Sequence, residues 1–193
     1  MVRSPEIKAG DLIGFSGQGF VADGINLGSL GIPRYSLSHI AIVGGHVSSP
    51  ALLLWESTTL GKQPCFISKK RVKGVQAHPL KQIFDRNGKV WHYPLAKRLS
   101  LPQQLALDKE LARLIGRPYD MIGAYRSGGR IFARIQSRLH GESLDTLFCS
   151  EFCHHLLEII GRVMRGNSSQ WSPNSLARSL TKQGIILPRR RLK

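Results

Sequence analysis

The stretch Ser38-His39-Ile40-Ala41-Ile42-Val43 has the alternating apolar pattern of a buried β-strand and contains one histidine. Side chains alternate between the two faces of a strand, so Ile40 and Ile42 are expected on one face and His39 on the other. A histidine inside such a strand is either a hydrogen-bonded core residue or a group presented to a cleft. The role of His39 therefore depends on what the rest of the chain brings to it.

Strand patterns are concentrated in the first half of the chain and helical patterns in the second. The residue types predict strands over 11–15, 37–43, 52–58, 65–70 and 90–94. Apolar spacing predicts a helix whose buried stripe is Leu105, Leu107, Leu111, Leu114 and Ile115, followed by helices over 119–139 and 148–160. Phe152, Leu156, Ile159 and Ile160 form the buried stripe of the helix over 148–160, and Ser172-Pro173 begins a fourth helix. This order favours the α+β class.

A length of 193 residues suits a single domain with its own core. We expect this domain to span residues 1–188, with a basic helical insertion at about 121–146. The tail 189–193, Arg-Arg-Arg-Leu-Lys, is expected to be solvated.

The charge balance is strongly basic, with 28 Lys and Arg against 12 Asp and Glu and a formal net charge of +16. Such a field attracts polyanions, so nucleic acid, anionic lipid and anionic cell-wall polymers are all compatible partners. The sequence contains no helix-turn-helix or zinc-finger pattern, and its aromatic residues do not alternate with its basic ones. Charge alone therefore does not distinguish among these polyanions.

The cysteine content and the first residues bear on the compartment. Three cysteines, Cys65, Cys149 and Cys153, are too few and of the wrong number for a disulfide framework. The start, Met-Val-Arg-Ser-Pro-Glu-Ile-Lys, lacks the apolar segment of a secretory signal, and no apolar run is long enough for a membrane span. We expect synthesis in a reducing cytoplasm, with delivery to the envelope or carriage in a phage particle if the protein acts outside.

Cys149 is the candidate nucleophile. An isolated cysteine is usually a small buried apolar residue, but Cys149 falls in the first turn of the helix predicted over 148–160, where unpaired amides stabilise a thiolate. With His39 upstream, this pattern favours a cysteine hydrolase or acyltransferase. Cys153 lies one turn deeper among apolar residues and is expected in the core.

A catalytic imidazole needs a third group that orients it. Glu56 lies in the next predicted strand within an apolar run, where a carboxylate is costly unless it has a partner. The alternatives are that Glu56 faces solvent, or that Asp11, Asp120 or Glu151 takes this role.

The remaining histidines and a metal site are less favoured. His46, His78, His92 and His140 are expected in loops or at exposed strand ends, and His154 and His155 on a helix away from the site. Cys149, Cys153 and His154 do not have the spacing of a recurrent zinc site. We predict no metal and no cofactor.

Several motifs in this order resemble the NlpC-type papain-like cysteine hydrolases, in their circularly permuted, YiiX-like branch. The resemblance is carried by Gly-Asp-Leu-Ile at 10–13, by Ser-His-Ile-Ala-Ile at 38–42 and by the acidic Glu56 on the next strand. Gly-Arg-Pro-Tyr-Asp at 116–120, Cys-Ser-Glu at 149–151 and Ser-Pro-Asn-Ser-Leu at 172–176 complete it. The match covers about residues 10 to 185, and only the permuted arrangement has the histidine before the cysteine.

The resemblance implies a permuted papain-like fold, an antiparallel half-barrel sheet packed against helices. It implies that Cys149 is the nucleophile, His39 the base and Glu56 the orienting residue, with the Cys149 amide in an oxyanion hole.

The basic insertion departs from the family. Arg126, Arg130, Arg134 and Arg138 recur every four residues on one helical face, opposite an apolar stripe. A charge run is usually a solvated face. The absence of intervening acids favours instead a docking surface for an anionic substrate or partner, to which we also assign Tyr119.

Three functions from different classes follow. The first is a thiol hydrolase that cleaves an amide bond through a thioacyl intermediate, with peptidoglycan stem peptides as the expected substrate. The second is a lipid-directed acyl hydrolase or acyltransferase. The third is a basic non-catalytic structural or binding module, such as a phage particle component.

Overall fold

The computed structural model of the protein describes residues 6–16, 37–58, 63–86, 88–117, 144–165 and 171–193. These residues form an α+β structure. The strands are β1 (Leu12–Ser16), β2 (His39–His46), β3 (Ser49–Thr58), β4 (Gly74–Pro79), β5 (Lys89–Tyr93) and β6 (Arg190–Arg191). The α-helices are α1 (Leu101–Leu114), α2 (Leu144–Ile159) and α3 (Pro173–Lys182), and a short 3-10 helix spans Leu80–Ile83. In the parts of the chain described here, no helix is both long and apolar enough to cross a membrane.

The strands form one six-stranded sheet in the order β4-β3-β2-β1-β5-β6. Every neighbouring pair is antiparallel. Phe15 of β1 lies directly opposite His39, and Glu56 of β3 lies opposite Gln76. The start of β2, the end of β1 and the end of β3 therefore meet at one end of the sheet.

Each face of the sheet has its own core. Helices α1 and α2 pack on β2, α2 also packs on β3, and α3 packs on α2. The larger core, which holds these helices against the sheet, includes Ile40, Trp55, Leu111, Phe152 and Leu180. A smaller core on the opposite face includes Ile13, Phe15, Ala41, Val43 and Ile83. The alternation expected for β2 is confirmed, because Ile40 and Ala41 lie in different cores.

Helix α1 approaches the sheet closely at Gly44. A Cβ atom on Gly44 would lie 2.3 Å from Cδ1 of Leu111, well inside normal contact. The indole nitrogen of Trp55 donates a hydrogen bond of 3.3 Å to the Gly44 carbonyl oxygen. A glycine at this position therefore allows the helix to reach the backbone of β2.

Most of the predicted elements are present with shifted ends. The strands predicted at 11–15, 37–43, 52–58 and 90–94 correspond to β1, β2, β3 and β5. The fourth predicted helix begins as expected, with Pro173 in the first position and the Ser172 side chain accepting from the Ser175 amide. The helix predicted over 119–139 lies outside the described residues.

The strand predicted over 65–70 is wrong. These residues form a turn, in which the Cys65 amide donates to the Lys70 carbonyl oxygen at 2.9 Å. Lys69 has a φ of 56°, in the left-handed region that interrupts an extended strand. The strand that pairs with β3 is instead β4, which alternation did not predict, because Gln76 and His78 are buried polar residues within it.

The C-terminal residues extend the sheet by one short strand, which the sequence did not predict. The side chains of Arg190 and Arg191 are exposed, but their backbone pairs with β5 as β6. The guanidinium of Arg189 lies 4.0 Å from the Trp91 ring centroid, and the Lys193 ammonium donates to the carbonyl oxygens of Phe84 and Arg86. The side chains of Arg190 and Arg191 are therefore solvated as expected, while their backbone extends the sheet.

Two residues of the predicted apolar stripes are exposed. Leu107, Leu111 and Leu114 are buried as expected, but Leu105 is 60% exposed. On α2, Phe152, Leu156 and Ile160 are buried, whereas Ile159 is 42% exposed. A spacing of three or four residues identifies the apolar face of a helix. How much of that face is buried depends on the elements that pack against the helix, so residues at its edge can be exposed.

A buried carboxylate joins β1 to β5. Asp11 is fully buried, and its oxygens accept hydrogen bonds from His92 at 2.7 Å and from Arg98 at 2.9 Å. The amides of Lys8 and Leu95 also donate to it. Burial alone would raise the pKa of Asp11, but the His92 hydrogen bond and these amides hold that pKa below its ordinary value.

We predict that Asp11→Asn lowers the free energy of unfolding at pH 7 by about 3 kcal/mol, because it leaves buried donors without their charged partner. The loss should shrink as the pH falls below about 4, because a carboxyl with a lowered pKa stabilises the fold only while it is ionised. Urea unfolding curves measure both effects. Asp85→Asn, at an exposed carboxylate, is the control and should change stability by less than about 0.5 kcal/mol. Equal losses for the two variants would contradict the prediction.

Candidate active site

Cys149 lies in helix α2 and is fully buried in the larger core. The helix begins at Leu144, so Cys149 is in its second turn, and the expectation that it lies in the first turn is wrong. Only the first four amides of an α-helix lack a partner within the helix. The amide of Cys149 is therefore engaged inside α2, and the expected oxyanion-hole role of this amide is not supported.

His39 is hydrogen-bonded to Glu56 across two neighbouring strands. Nε2 of His39 lies 2.8 Å from Oε2 of Glu56, whose side chain is 4% exposed. His39 is the first residue of β2, at the end of the sheet, and its side chain is 17% exposed. A carboxylate on one ring nitrogen fixes both the tautomer and the orientation of an imidazole.

Two further residues support this pair. Arg86, which follows the 3-10 helix, donates from Nη2 to Oε1 of Glu56 at 2.6 Å. Its guanidinium carbon also lies 4.5 Å from the centroid of the Phe15 ring. The Phe15 ring is in turn 5.9 Å from the His39 ring, at an interplanar angle of 35°. Phe15 thus lies near both of the side chains that share the Glu56 carboxylate.

The other side of the His39 ring interacts with Cys149. Burial alone would lower the pKa of His39, but the charge interaction and hydrogen bond with Cys149, followed by those with Glu56, raise this pKa to about 10. Because Nε2 is engaged by Glu56, Nδ1 is the ring nitrogen that remains for the thiol. The imidazolium therefore carries the proton of the pair next to the sulfur, while Glu56 holds the ring in place.

Glu56 keeps its negative charge in this environment. Burial alone would raise its pKa, but the hydrogen bond and charge of His39, together with those of Arg86, hold the pKa of Glu56 far below its ordinary range. His78 of β4 is a second buried imidazole, with Nε2 3.5 Å from Oε1 of Glu56. Burial lowers the pKa of His78, so this ring is neutral at pH 7 and adds no competing charge.

Cys153 differs from Cys149 in its surroundings, although both are fully buried one helical turn apart. Burial, with the charges of Cys149 and Glu56, raises the pKa of Cys153 well above its ordinary value. The expectation that Cys153 is a core residue is confirmed.

The alternative orienting acids have other places. Asp11 pairs with His92 rather than with His39. Glu151 is buried in α2, and Asp120 lies outside the described residues.

Of the predicted site residues, the structure brings together Cys149, His39 and Glu56. Those assigned to anion binding, Tyr119, Arg126, Arg130, Arg134 and Arg138, also lie outside the described residues.

The positions of the other histidines differ in part from the expectations. His78 and His92 are buried within β4 and β5, not exposed at strand ends. His154 stacks on Trp171 with ring centroids 5.8 Å apart, and His155 pairs with Glu110 of α1. His140 lies outside the described residues. Among the residues that are described, no cluster of three or more His, Cys, Asp or Glu could hold a metal ion.

Sequence reasoning missed Phe15, His78 and Arg86. Phe15 and His78 look like ordinary strand residues, and Arg86 lies in an Asp-Arg-Asn-Gly stretch that is typical of a turn. One available signal was the apolar run around Glu56, since a carboxylate buried there would require a cation. Nothing local identifies which of the chain's many cations provides it.

Two comparisons of the sequence, with protein families and with curated proteins, supply no relative. No protein-family model matches the chain, and no curated protein is significantly similar to it in sequence. The assignment of a function therefore depends on the site geometry.

We predict that iodoacetamide alkylates Cys149 faster than Cys153 at about pH 6, because Cys149 interacts with the His39 imidazolium and both thiols are equally buried. The His39 pKa of about 10 means that its positive charge persists up to that pH. The alkylation rate should therefore be nearly constant between about pH 6 and 9. Peptide mass spectrometry of timed samples measures both cysteines in one experiment.

His39→Ala should slow alkylation of Cys149 at about pH 6 by at least roughly tenfold and move the pH profile toward that of an ordinary thiol. Cys153 is the internal control, because it is equally buried on the same helix. Equal rates for the two cysteines, or a profile that His39→Ala leaves unchanged, would show that the imidazole does not activate the thiol.

Proposed function

We propose that the protein is a cysteine hydrolase that cleaves an amide bond through a thioacyl intermediate on Cys149. The single observation that carries this proposal is the position of the His39 ring, which interacts with Cys149 and is hydrogen-bonded to Glu56 at 2.8 Å. A thiol next to an imidazole, and a buried carboxylate that binds the same imidazole, form the arrangement that nucleophilic catalysis by cysteine requires.

The proposed reaction follows from these contacts. The sulfur of Cys149, whose proton already resides on the His39 imidazolium, attacks the carbonyl carbon of the substrate. The tetrahedral intermediate collapses when the imidazolium gives its proton to the leaving amine, which leaves a thioester on Cys149. His39 then takes a proton from water, the hydroxide attacks the thioester, and the acid and free thiol are released. Glu56 stays ionised throughout and orients the ring.

We also propose that the fold is the permuted papain-like arrangement of NlpC-type hydrolases. The antiparallel sheet, the cysteine on a helix packed against β2 and β3, and the histidine before the cysteine in the chain are compatible with it. Cell-wall stem peptides are the substrate class that this resemblance favours. A lipid-directed acyl hydrolase or acyltransferase would use the same three residues on a different acyl group.

We predict that Cys149→Ala abolishes the release of new amino or carboxyl groups from purified muropeptides, because the nucleophile is lost, while the circular dichroism spectrum is retained. Cys153→Ala removes an equally buried thiol of the same helix and should keep the activity. If the protein releases fatty acid from phospholipid vesicles but no new amino or carboxyl groups from muropeptides, its substrate is a lipid and not a peptide. Undiminished turnover by Cys149→Ala would refute the thiol mechanism.

The basic charge supports an anionic substrate. Residues 57–84 contain no Asp or Glu, and Lys69, Lys70, Arg71 and Lys73 are all exposed. Gly74, which follows Lys73, pairs with Thr58, two residues beyond Glu56. These cations therefore adjoin the end of the sheet where His39 lies. The same charges favour the competing proposal of a non-catalytic module that binds a polyanion.

We predict that the ratio of the alkylation rates of Cys149 by anionic iodoacetate and by neutral iodoacetamide rises when salt is lowered from about 500 to about 20 mM. Lower salt screens the attraction between the exposed cations and the anionic reagent less strongly. Changing Lys69, Lys70, Arg71 and Lys73 together to Gln should reduce the iodoacetate-to-iodoacetamide rate ratio at low salt by about threefold to tenfold. The control changes Lys97, Lys109, Arg165 and Lys182, which are exposed elsewhere, to Gln. If both variants lower the ratio equally, only the net charge of the protein matters.

A further inference from the structure

Asn174 is a fully buried polar side chain at the start of helix α3, and it binds a backbone segment far from it in sequence. Its Oδ1 accepts a hydrogen bond of 2.7 Å from the Leu37 amide. Its Nδ2 donates a hydrogen bond of 3.2 Å to the Leu37 carbonyl oxygen. A single planar amide thus pairs with both polar backbone groups of one residue, as a neighbouring strand would.

The segment that Asn174 holds leads directly into the candidate site. Leu37 is fully buried in the larger core and stands two residues before His39. The residue between them is held by β1, because the Ser38 amide donates to the Phe15 carbonyl oxygen at 2.8 Å and the Ser38 hydroxyl donates to the same oxygen at 3.2 Å. The entrance of β2 is therefore fixed from two sides, by α3 and by β1.

His39 needs this restraint more than a residue in the middle of β2 would. It is the first residue of its strand, and strand ends fray more readily than interior positions. Its ring must also satisfy Glu56 and Cys149 together. A displacement of about 1 Å would lengthen the 2.8 Å bond to Glu56 beyond hydrogen-bonding range.

We infer that Asn174 is a positioning residue for His39. It clamps the backbone of Leu37, so that the ring enters the site with one nitrogen toward Glu56 and the other toward Cys149. Asn174 makes no contact with a substrate in this role, which it exerts through the backbone of 37–39. The inference rests on the proposed function, because it concerns the histidine that activates Cys149.

The test is the pH profile of Cys149 alkylation by iodoacetamide, measured on the full chain at a temperature where circular dichroism shows each variant folded. Asn174→Ala is expected to slow alkylation at about pH 6 by about tenfold and to move the profile toward that of an ordinary thiol. Asn174→Gln keeps both the acceptor and the donor without a new charge, but places them one carbon further along the side chain, out of register with the Leu37 backbone. It should show a smaller shift in the same direction, and it serves as the decisive variant if Asn174→Ala does not fold.

Ser172→Ala is the matched control. It removes the side chain that caps the same helix by accepting from the Ser175 amide, so it weakens α3 without touching Leu37. It is expected to lower the urea midpoint and leave the pH profile of Cys149 unchanged. A shift of the profile in Ser172→Ala as large as in Asn174→Ala would overturn the inference, because general weakening of α3 would then explain both.

The outcome separates this inference from the proposed function. If wild-type alkylation depends on His39 and the Asn174 variants keep the wild-type profile, the clamp is rejected and the thiol mechanism stands. If His39→Ala leaves wild-type alkylation unchanged, the proposed function is rejected, and the clamp is rejected with it.

Discussion

The burial of the Glu56 carboxylate is the constraint on which the arrangement of the site depends. An ionised carboxylate removed from water costs several kcal/mol unless charged partners replace its hydration. Arg86 at 2.6 Å and His39 at 2.8 Å are those partners. They come from different elements, so satisfying one carboxylate draws together β2, β3 and the loop after the 3-10 helix. The orientation of the His39 ring toward Cys149 follows from that requirement.

The chain contains a second carboxylate with the same kinds of partner. Asp11 binds His92 and Arg98, as Glu56 binds His39 and Arg86. The two groups differ in what lies on the other side of the imidazole. His92 is 1% exposed and joins β5 to β1, whereas the His39 side chain is 17% exposed and interacts with a thiol. Only the second arrangement brings a thiol to the imidazole, whereas the Asp11 group joins β1 to β5.

The parts of the fold that could be predicted are those with a strong local signal. Apolar, β-branched and aromatic residue types identified β1, β2, β3 and β5, and a Ser-Pro start identified α3. Strand β4 was missed because it contains the polar residues Gln76 and His78, which are typical of an exposed segment but are buried here. The turn that begins at Cys65 was taken for a strand because its residue types suit a pleated surface, and Lys69 then leaves the extended region. In both cases tertiary contacts outweighed local preference.

The sequence by itself determined the α+β class and singled out Cys149, His39 and Glu56 as the residues whose chemistry is worth testing. It could do so because strand and helix periods are local, and because a carboxylate within an apolar run demands a partner wherever it lies. Only the tertiary structure decided which residues pair: Arg86 binds Glu56 beside His39, and His92 binds Asp11. It also decided that Asn174 binds the backbone of Leu37 at the entrance of β2. Those pairings join residues 30, 81 and 137 positions apart, and contacts over such separations depend on how the sheet and helices pack rather than on any local pattern.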